Sequence, residues 1–130
     1  MNLNHILVLT IDLETMSHFW TEVIGLTLGD RPPFPFKGAW FYSEGKPLIH
    51  VAEQENINPS GGAMAHLALE GADYQAFALI STLKRHDVSY TEKDVPLSGE
   101  RQVFVSGPDG LVVEMMFSLG ESDDEVHPYK

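Results

Sequence analysis

Gln102-Val103-Phe104-Val105-Ser106-Gly107-Pro108-Asp109-Gly110-Leu111-Val112-Val113-Glu114-Met115-Met116-Phe117 reads as two apolar strands closed by a tight turn. The Pro-Asp-Gly chemistry suits such a turn, because Pro presets its own φ and Gly accepts a positive one. The second strand is the most apolar run in the chain, and Glu114 sits in its middle. An ionised carboxylate is almost never buried without a partner, since removing the charge from water costs several kcal/mol, roughly, even after relaxation. No Lys, Arg or His lies within the run, so its cation comes from elsewhere. Arg101 on the adjacent hairpin strand is one candidate and a metal ion is the other.

Working outward, three more strand-like apolar runs each carry one imidazole. They are His5 in Leu3-Asn4-His5-Ile6-Leu7-Val8, His50 in Leu48-Ile49-His50-Val51, and His66 in Met64-Ala65-His66-Leu67-Ala68-Leu69. Three neutral nitrogens and one carboxylate form a donor set suited to a divalent metal.

The order of elements around these runs repeats. Residues 3–11 alternate as a strand with His5, Leu7 and Leu9 on one face. Asp12 offers an N-cap, Leu13, Met16, Phe19, Trp20, Val23 and Ile24 recur at helical spacing, and Gly25 supplies a stop, so a helix is expected over 12–24. A short strand near 26–28, a Pro-rich loop through Arg31-Pro32-Pro33-Phe34-Pro35-Phe36, and strands around 39–42 and 47–52 complete a βαβββ module. After the polar stretch 53–62, a strand over 63–69, a helix capped by Asp73 with Tyr74, Phe77, Ile80 and Leu83 on one face, and strands over 88–92, 102–105 and 111–117 give the same order again. Lys84, Arg85 and His86 suit the dipole at that helix's C-terminus.

The expected organisation is one domain over 1–130: module one 1–52, linker 53–62, module two 63–117 and an acidic tail 118–130. His5 and His66 hold equivalent places in the first strands of the two modules, and His50 and Glu114 hold equivalent places in the last strands. Side chains alternate along a strand, so His5 and His66 share faces with Leu7 and Ala68, and His50 and Glu114 share faces with Leu48 and Val112. A pseudo-twofold pairing of modules would gather all four.

At 130 residues and 43% hydrophobic composition the chain can bury a core without staples. It has no cysteine, which excludes disulfides, thiolate zinc sites and a cysteine nucleophile, and the cytoplasm is the expected compartment. Eight Lys and Arg against nineteen Asp and Glu leave a net charge of −11, which repels nucleic acid. No apolar run approaches the ~20 residues of a membrane-spanning helix, so no membrane partner is expected. The run Glu121-Ser122-Asp123-Asp124-Glu125 reads as a solvated tail, with His127 idle. His18 and His86 are expected at the surface.

Taken in order, His5 with Asp12-Leu13-Glu14 and Phe19-Trp20, Gly25-Leu26, Ile49-His50-Val51, Ala65-His66-Leu67, and Gly107-Pro108-Asp109-Gly110 leading into Glu114 resemble the vicinal oxygen chelate superfamily. This group includes glyoxalase I, fosfomycin-resistance proteins, extradiol dioxygenases, methylmalonyl-CoA epimerase and bleomycin-binding proteins. The resemblance covers most of the chain. It implies an α+β, glyoxalase-like fold in which two βαβββ modules form a cupped mixed sheet around a divalent metal. His5, His50, His66 and Glu114 fall where glyoxalase I has its ligands, although that enzyme usually carries a carboxylate or Gln at the place of His50. His50 is thus a fourth ligand or a pocket residue beside a core of His5, His66 and Glu114. Leu9 stands where bacterial glyoxalase I has an Arg for its thiol substrate, and Asp123-Asp124 argues against phosphonate binding.

The leading expectation is a divalent-metal-dependent enzyme acting on a small carbonyl or hydroxy-carbonyl substrate, a lyase or isomerase that stabilises an enediolate, with Glu114 as base. The metal could be Zn, Ni, Co, Fe or Mn. The alternatives are an Fe(II) extradiol-type dioxygenase and a metal-free protein that binds a drug or metabolite. Trp40, Tyr42, Phe34 and Phe36 are either substrate-pocket or core residues. Arg31 or Arg101 could hold a substrate carboxylate through a bidentate contact, or serve in a structural ion pair. A homodimer is the assembly that the resemblance implies.

Overall fold

Burial alternates from the first strand onward. In β1 (Ile6–Thr10), Val8 and Thr10 point inward and are buried, while Leu7 and Leu9 stand on the other, exposed face. The Thr10 hydroxyl is satisfied by the backbone of Asp12: it donates to the carbonyl and accepts from the N–H, both at 3.1 Å. This computed structural model describes residues 2–57, 66–73, 79–95, 97 and 99–118. The chain divides into two units, Met1–Pro59 and Ser60–Lys130, each with its own sheet.

In the first unit Asp12 caps α1 (Leu13–His18) as its sequence position predicts. Its carboxylate accepts from the Thr15 N–H at 3.2 Å and the Thr15 hydroxyl at 2.9 Å. The backbone hydrogen bond from Thr15, with the hydroxyl's support, holds the Asp12 carboxyl below its ordinary range. A second free N–H of the helix, that of Leu13, donates to Glu53 Oε2 at 2.9 Å. Glu53 was expected to open the linker; it is instead the last residue of β4 (Lys46–Glu53).

The helix expected over 12–24 is not α-helical throughout, because Phe19–Ile24 continues as a π-helix. Within this segment the Thr21 hydroxyl donates back to the Ser17 carbonyl at 2.9 Å, a contact that competes with the α-helical ladder. The wider turn still directs Met16, Phe19, Trp20, Val23 and Ile24 into the core. Gly25 then takes φ 94, and the N–H groups of Gly25 and Leu26 both reach the Trp20 carbonyl, at 3.1 and 2.9 Å. Only glycine enters that left-handed conformation at little steric cost.

β2 (Thr27–Gly29) and β3 (Gly38–Ser43) complete a sheet of order β1-β4-β3-β2, with β1 parallel to β4 and the other pairs antiparallel. β3 and β4 turn on Glu44 (φ 51) and Gly45 (φ 78), a pair of positive φ values that matches the twist of a two-residue hairpin. Ala39, Phe41, Ile49 and Val51 face the helical core. Leu7, Trp40 and His50 align across the opposite face.

The second unit repeats this topology with β5 (Leu67–Asp73), α2 (Leu79–Arg85), β6 (Tyr90–Asp94), β7 (Glu100–Ser106) and β8 (Val112–Ser118) in the order β5-β8-β7-β6. β5 is parallel to β8, as β1 is to β4. The whole is an α+β fold of two four-stranded mixed sheets. Asp73, expected to cap the second helix, ends β5 instead, and β6 lies two residues later than expected. Within β5 the Phe117 ring occupies the space that a Cβ at Gly71 would need, and the register shifts between Glu70 and Asp73.

The 106–110 turn forms as expected, through Asp109 (φ 58) and Gly110 (φ 77). Leu67, Leu83, Val103, Val105, Val113, Met115 and Phe117 make the second core. Residues 63–65 of the strand expected over 63–69, residues 58–62 of the linker, Tyr74 and Phe77 of the expected second helix, and residues 119–130 of the acidic tail, with Asp123, Asp124 and His127, lie outside the described residues. Among the described residues no helix is long and apolar enough to cross a membrane.

Candidate metal centre

Strand parity places Glu114 on the face of β8 opposite Val113, Met115 and Phe117, so it is turned away from the second core, yet it is only 4% exposed. Each of its oxygens has a partner. Oε1 lies 3.0 Å from His66 Nε2, and Oε2 accepts from Gln102 Nε2 at 3.1 Å. The His66 side chain is 41% exposed, so the pair opens toward solvent at the imidazole. Phe104, directly across from Glu114 in the register, meets the His66 ring edge-on at 5.8 Å, and Lys93 Nζ stands 5.7 Å from the Phe104 ring.

Arg101 does not pair with Glu114. It points to the other face of β7, where Nε donates to Asp94 at 2.8 Å and Nη1 lies 3.7 Å from Glu92. Residues 101 and 102 alternate, so the neutral Gln102 and not the neighbouring cation reaches the buried carboxylate. Gln102 went unnoticed in the sequence. Its signal is the diagonal cross-strand relation to Glu114, two positions from the directly opposed Phe104.

In the first unit the equivalent positions carry two imidazoles. His5 and His50 stack face to face with centroids 3.9 Å apart at 10°, and Trp40 covers the other side of His50 at 3.8 Å and 11°. Half-buried His50 also holds a 3.1 Å hydrogen bond between Nε2 and the Pro47 carbonyl. Burial, with the charge of neighbouring His5, pushes its pKa below the usual histidine value. His5 is exposed, and its Nδ1 lies 2.7 Å from Asn4 Oδ1.

These donors differ in their fit to a metal. A ligating His commonly donates its second N–H to a carbonyl or carboxylate, and Asn4 supplies such an acceptor, leaving His5 Nε2 available. Two ligands about 2.1 Å from an ion and roughly at right angles lie ~3.0 Å apart, close to the His66–Glu114 separation. His50 fits less well. Ring-nitrogen lone pairs lie in the ring plane, so two parallel stacked rings cannot both aim at one ion. Among the described residues no three His, Asp or Glu side chains gather into a metal-holding group.

Of the expected pocket residues, Trp40 and Phe34 lie in one aromatic run, with ring centroids 6.4 Å apart, and Phe34 stacks on Phe36 at 5.3 Å. Arg31 lies beside both phenyl rings. Tyr42 packs its ring against Gly29 and donates to the Asp30 carbonyl at 2.6 Å, lining a shallow hollow of about 420 Å³ with Thr27, Asp30 and Glu44. Arg101 is held by its carboxylates on the hairpin. His18 is exposed on α1, and His86 is part-exposed just after α2.

No curated protein matches the chain in sequence. Solved structures match its fold. A protein assigned to the glyoxalase family from Bacillus anthracis has 21% identity and a TM-score of 0.74, over 91% of this chain and 95% of that one. A glyoxylase/bleomycin resistance protein/dioxygenase domain from Frankia sp. EAN1pec has 16% identity and a TM-score of 0.75, over 91% and 98%. The fosfomycin resistance protein FosX from Listeria monocytogenes has 18% identity and a TM-score of 0.72, over 97% and 98%. A mutant of FosX has been crystallised with Mn(II) and 1S,2S-dihydroxypropylphosphonic acid. The family model for the Glyoxalase/Bleomycin resistance protein/Dioxygenase superfamily matches residues 2–115. By this match over most of its length, the chain belongs to that superfamily.

Proposed function

We propose that the protein is a divalent-metal-dependent enzyme acting on a small carbonyl or hydroxy-carbonyl compound, a lyase or isomerase of the glyoxalase kind. His5, His66 and Glu114 are its metal ligands, and His50 is a wall of the pocket. The observation that carries this reading is the His66–Glu114 pair: a nitrogen and a carboxylate oxygen 3.0 Å apart, the carboxylate buried and the imidazole open to solvent. Superfamily membership supports it, as does the Mn(II) complex of a FosX mutant.

A bound metal would supply Lewis acidity, drawing negative charge onto the substrate's oxygens while a proton leaves the adjacent carbon. This chain's residues do the rest. Asn4 orients the His5 ring, and Gln102 fixes one oxygen of Glu114 so that the other is directed toward His66. Glu114, freed on one oxygen, takes the proton from the carbon next to the carbonyl.

The test is metal content by elemental analysis of untagged protein, beside Glu114→Gln, after incubation with Fe(II), Ni(II), Zn(II) or Mn(II), together with thermal unfolding of each form. One tight ion per site, raising the unfolding temperature of the wild type but not of the variant, supports the reading. Exclusive retention of Fe(II) would move the assignment toward an extradiol-type dioxygenase. Wild-type protein that takes up none of the four ions overturns the metal-enzyme reading and leaves a metal-free binding protein.

A further inference from the structure

Arg31 carries a full charge with no carboxylate in reach among the described residues. Its guanidinium Nε is buried without a hydrogen-bond partner, and no ion pair engages it. Arg101, the other partly buried Lys or Arg among the described residues, is held by Asp94 and Glu92. In a chain of net charge −11, a guanidinium left without a carboxylate calls for an explanation.

The side chain is nevertheless held firmly. Its Cζ lies 5.3 Å from the Phe34 ring and 5.1 Å from the Phe36 ring, and Nη2 donates to the Phe36 carbonyl at 3.2 Å. A Cβ at Gly38 would run into the Val51 carbonyl and would also approach Nη2 to 3.2 Å, so the guanidinium lies beside this glycine. That Cβ direction is also the face from which Trp40 projects, two residues on. Arg31 therefore sits on the same face of the first sheet as the His5–His50–Trp40 column, joined to it through Phe34 at 6.4 Å from Trp40. Phe34 is 42% and Phe36 47% exposed, so a planar ligand can reach this wall.

We propose that Arg31 anchors a carboxylate of the substrate, whose planar or aromatic body lies along Phe34 and Trp40. A planar fork held by two rings and one carbonyl is preorganised for a carboxylate, so little rotamer freedom is lost when it binds. This deepens the metal-enzyme reading by naming the substrate class: a carbonyl compound that also carries a carboxylate. It rests on that reading for the carbonyl end alone.

The probes are 4-acetylbenzoate and its neutral analogue 4-acetylbenzamide, which share the ring and the carbonyl and differ in charge. Binding is read by titration calorimetry and by quenching of Trp40, since the other tryptophan, Trp20, is fully buried. Wild type is expected to prefer the benzoate by roughly ten- to a hundredfold, the range of a charge-assisted hydrogen bond. Arg31→Gln should bring the two probes level, and Arg31→Lys should keep a reduced preference because it retains the charge without the fork. Equal wild-type affinity for the two probes, a preference that survives in Arg31→Gln, or one unchanged in Arg31→Lys overturns the proposal. If Arg31→Gln does not fold, the Arg31→Lys arm decides. Glu114→Gln should keep the benzoate preference, so loss of metal binding and failure of the Arg31 site are separate results.

Discussion

Replacing Gln102 with Leu removes one hydrogen bond and keeps side-chain volume, and the structure says what that bond is worth. Glu114 Oε2 accepts from Gln102 Nε2 at 3.1 Å in a side chain that is 6% exposed, so the oxygen cannot turn to bulk water when the amide is gone. A hydrogen bond to a charged group contributes about 1.5–3 kcal/mol, and the buried acceptor left behind brings the loss to roughly 2 kcal/mol or more. With an unfolding entropy of about 2.1 cal/mol/K per residue, a chain of 130 residues loses ~4 °C per kcal/mol, so the variant should melt about 7 °C lower. The assay is thermal unfolding at neutral pH in chelator, with Arg101→Met alongside as the internal control. Arg101 makes two ion pairs, but its side chain is 29% exposed and its partners Glu92 and Asp94 are 35% and 33% exposed, which limits its contribution to ~1 kcal/mol. If Gln102→Leu shifts the melting point by less than Arg101→Met does, the account of how Glu114 is buried is wrong. In the metal-loaded protein the same change should also weaken metal affinity by roughly 10- to 100-fold, as expected for a residue that orients a ligand.

Two further outcomes are expected. Because the native Asp12 carboxyl sits below its ordinary 3.8, the unfolded chain binds more protons in that region; the charge contribution is complete above about pH 3.8 and is lost as pH falls through the native pKa. The stability gap between wild type and Asp12→Asn, measured by urea unfolding, should be steady from pH 7 to 5 and close below pH 3.8. Gly45→Ala puts a Cβ at φ 78 in the hairpin between β3 and β4 and should cost about 1–2 kcal/mol in the same assay, although a Cβ there meets nothing within 4 Å.

Much of the fold was legible because it depends on local signals. Asp12 and Gly25 bracket the first helix, Pro108-Asp109-Gly110 turns the last hairpin, and alternation assigns each strand its buried face, so both βαβββ units could be read in order. The pairing of His5 with His50 and of His66 with Glu114 was not legible in this way; it follows from the strand ladder, in which residues opposite one another or two apart share a face. Where the sequence reading departed from the structure, side chains distant in sequence had taken control. The π-helical stretch from Phe19 follows a Thr21 hydroxyl bonding back one turn and an aromatic stripe fitting a sheet, neither of which helical spacing records. Asp73 looks like a cap, yet β5 runs on to it past a glycine covered by Phe117, a residue supplied by a strand far along the chain.

By itself, then, the sequence determined the repeated topology and the set of chemical groups, because propensity, capping and alternation act over a few residues. The tertiary structure decided what each group does. It gave Glu114 a neutral amide and an imidazole in place of Arg101, packed His50 between two flat rings, and left Arg31 charged without a carboxylate. These outcomes depend on strand register and on which side chain meets which across a sheet, and register is set by the packing of whole faces.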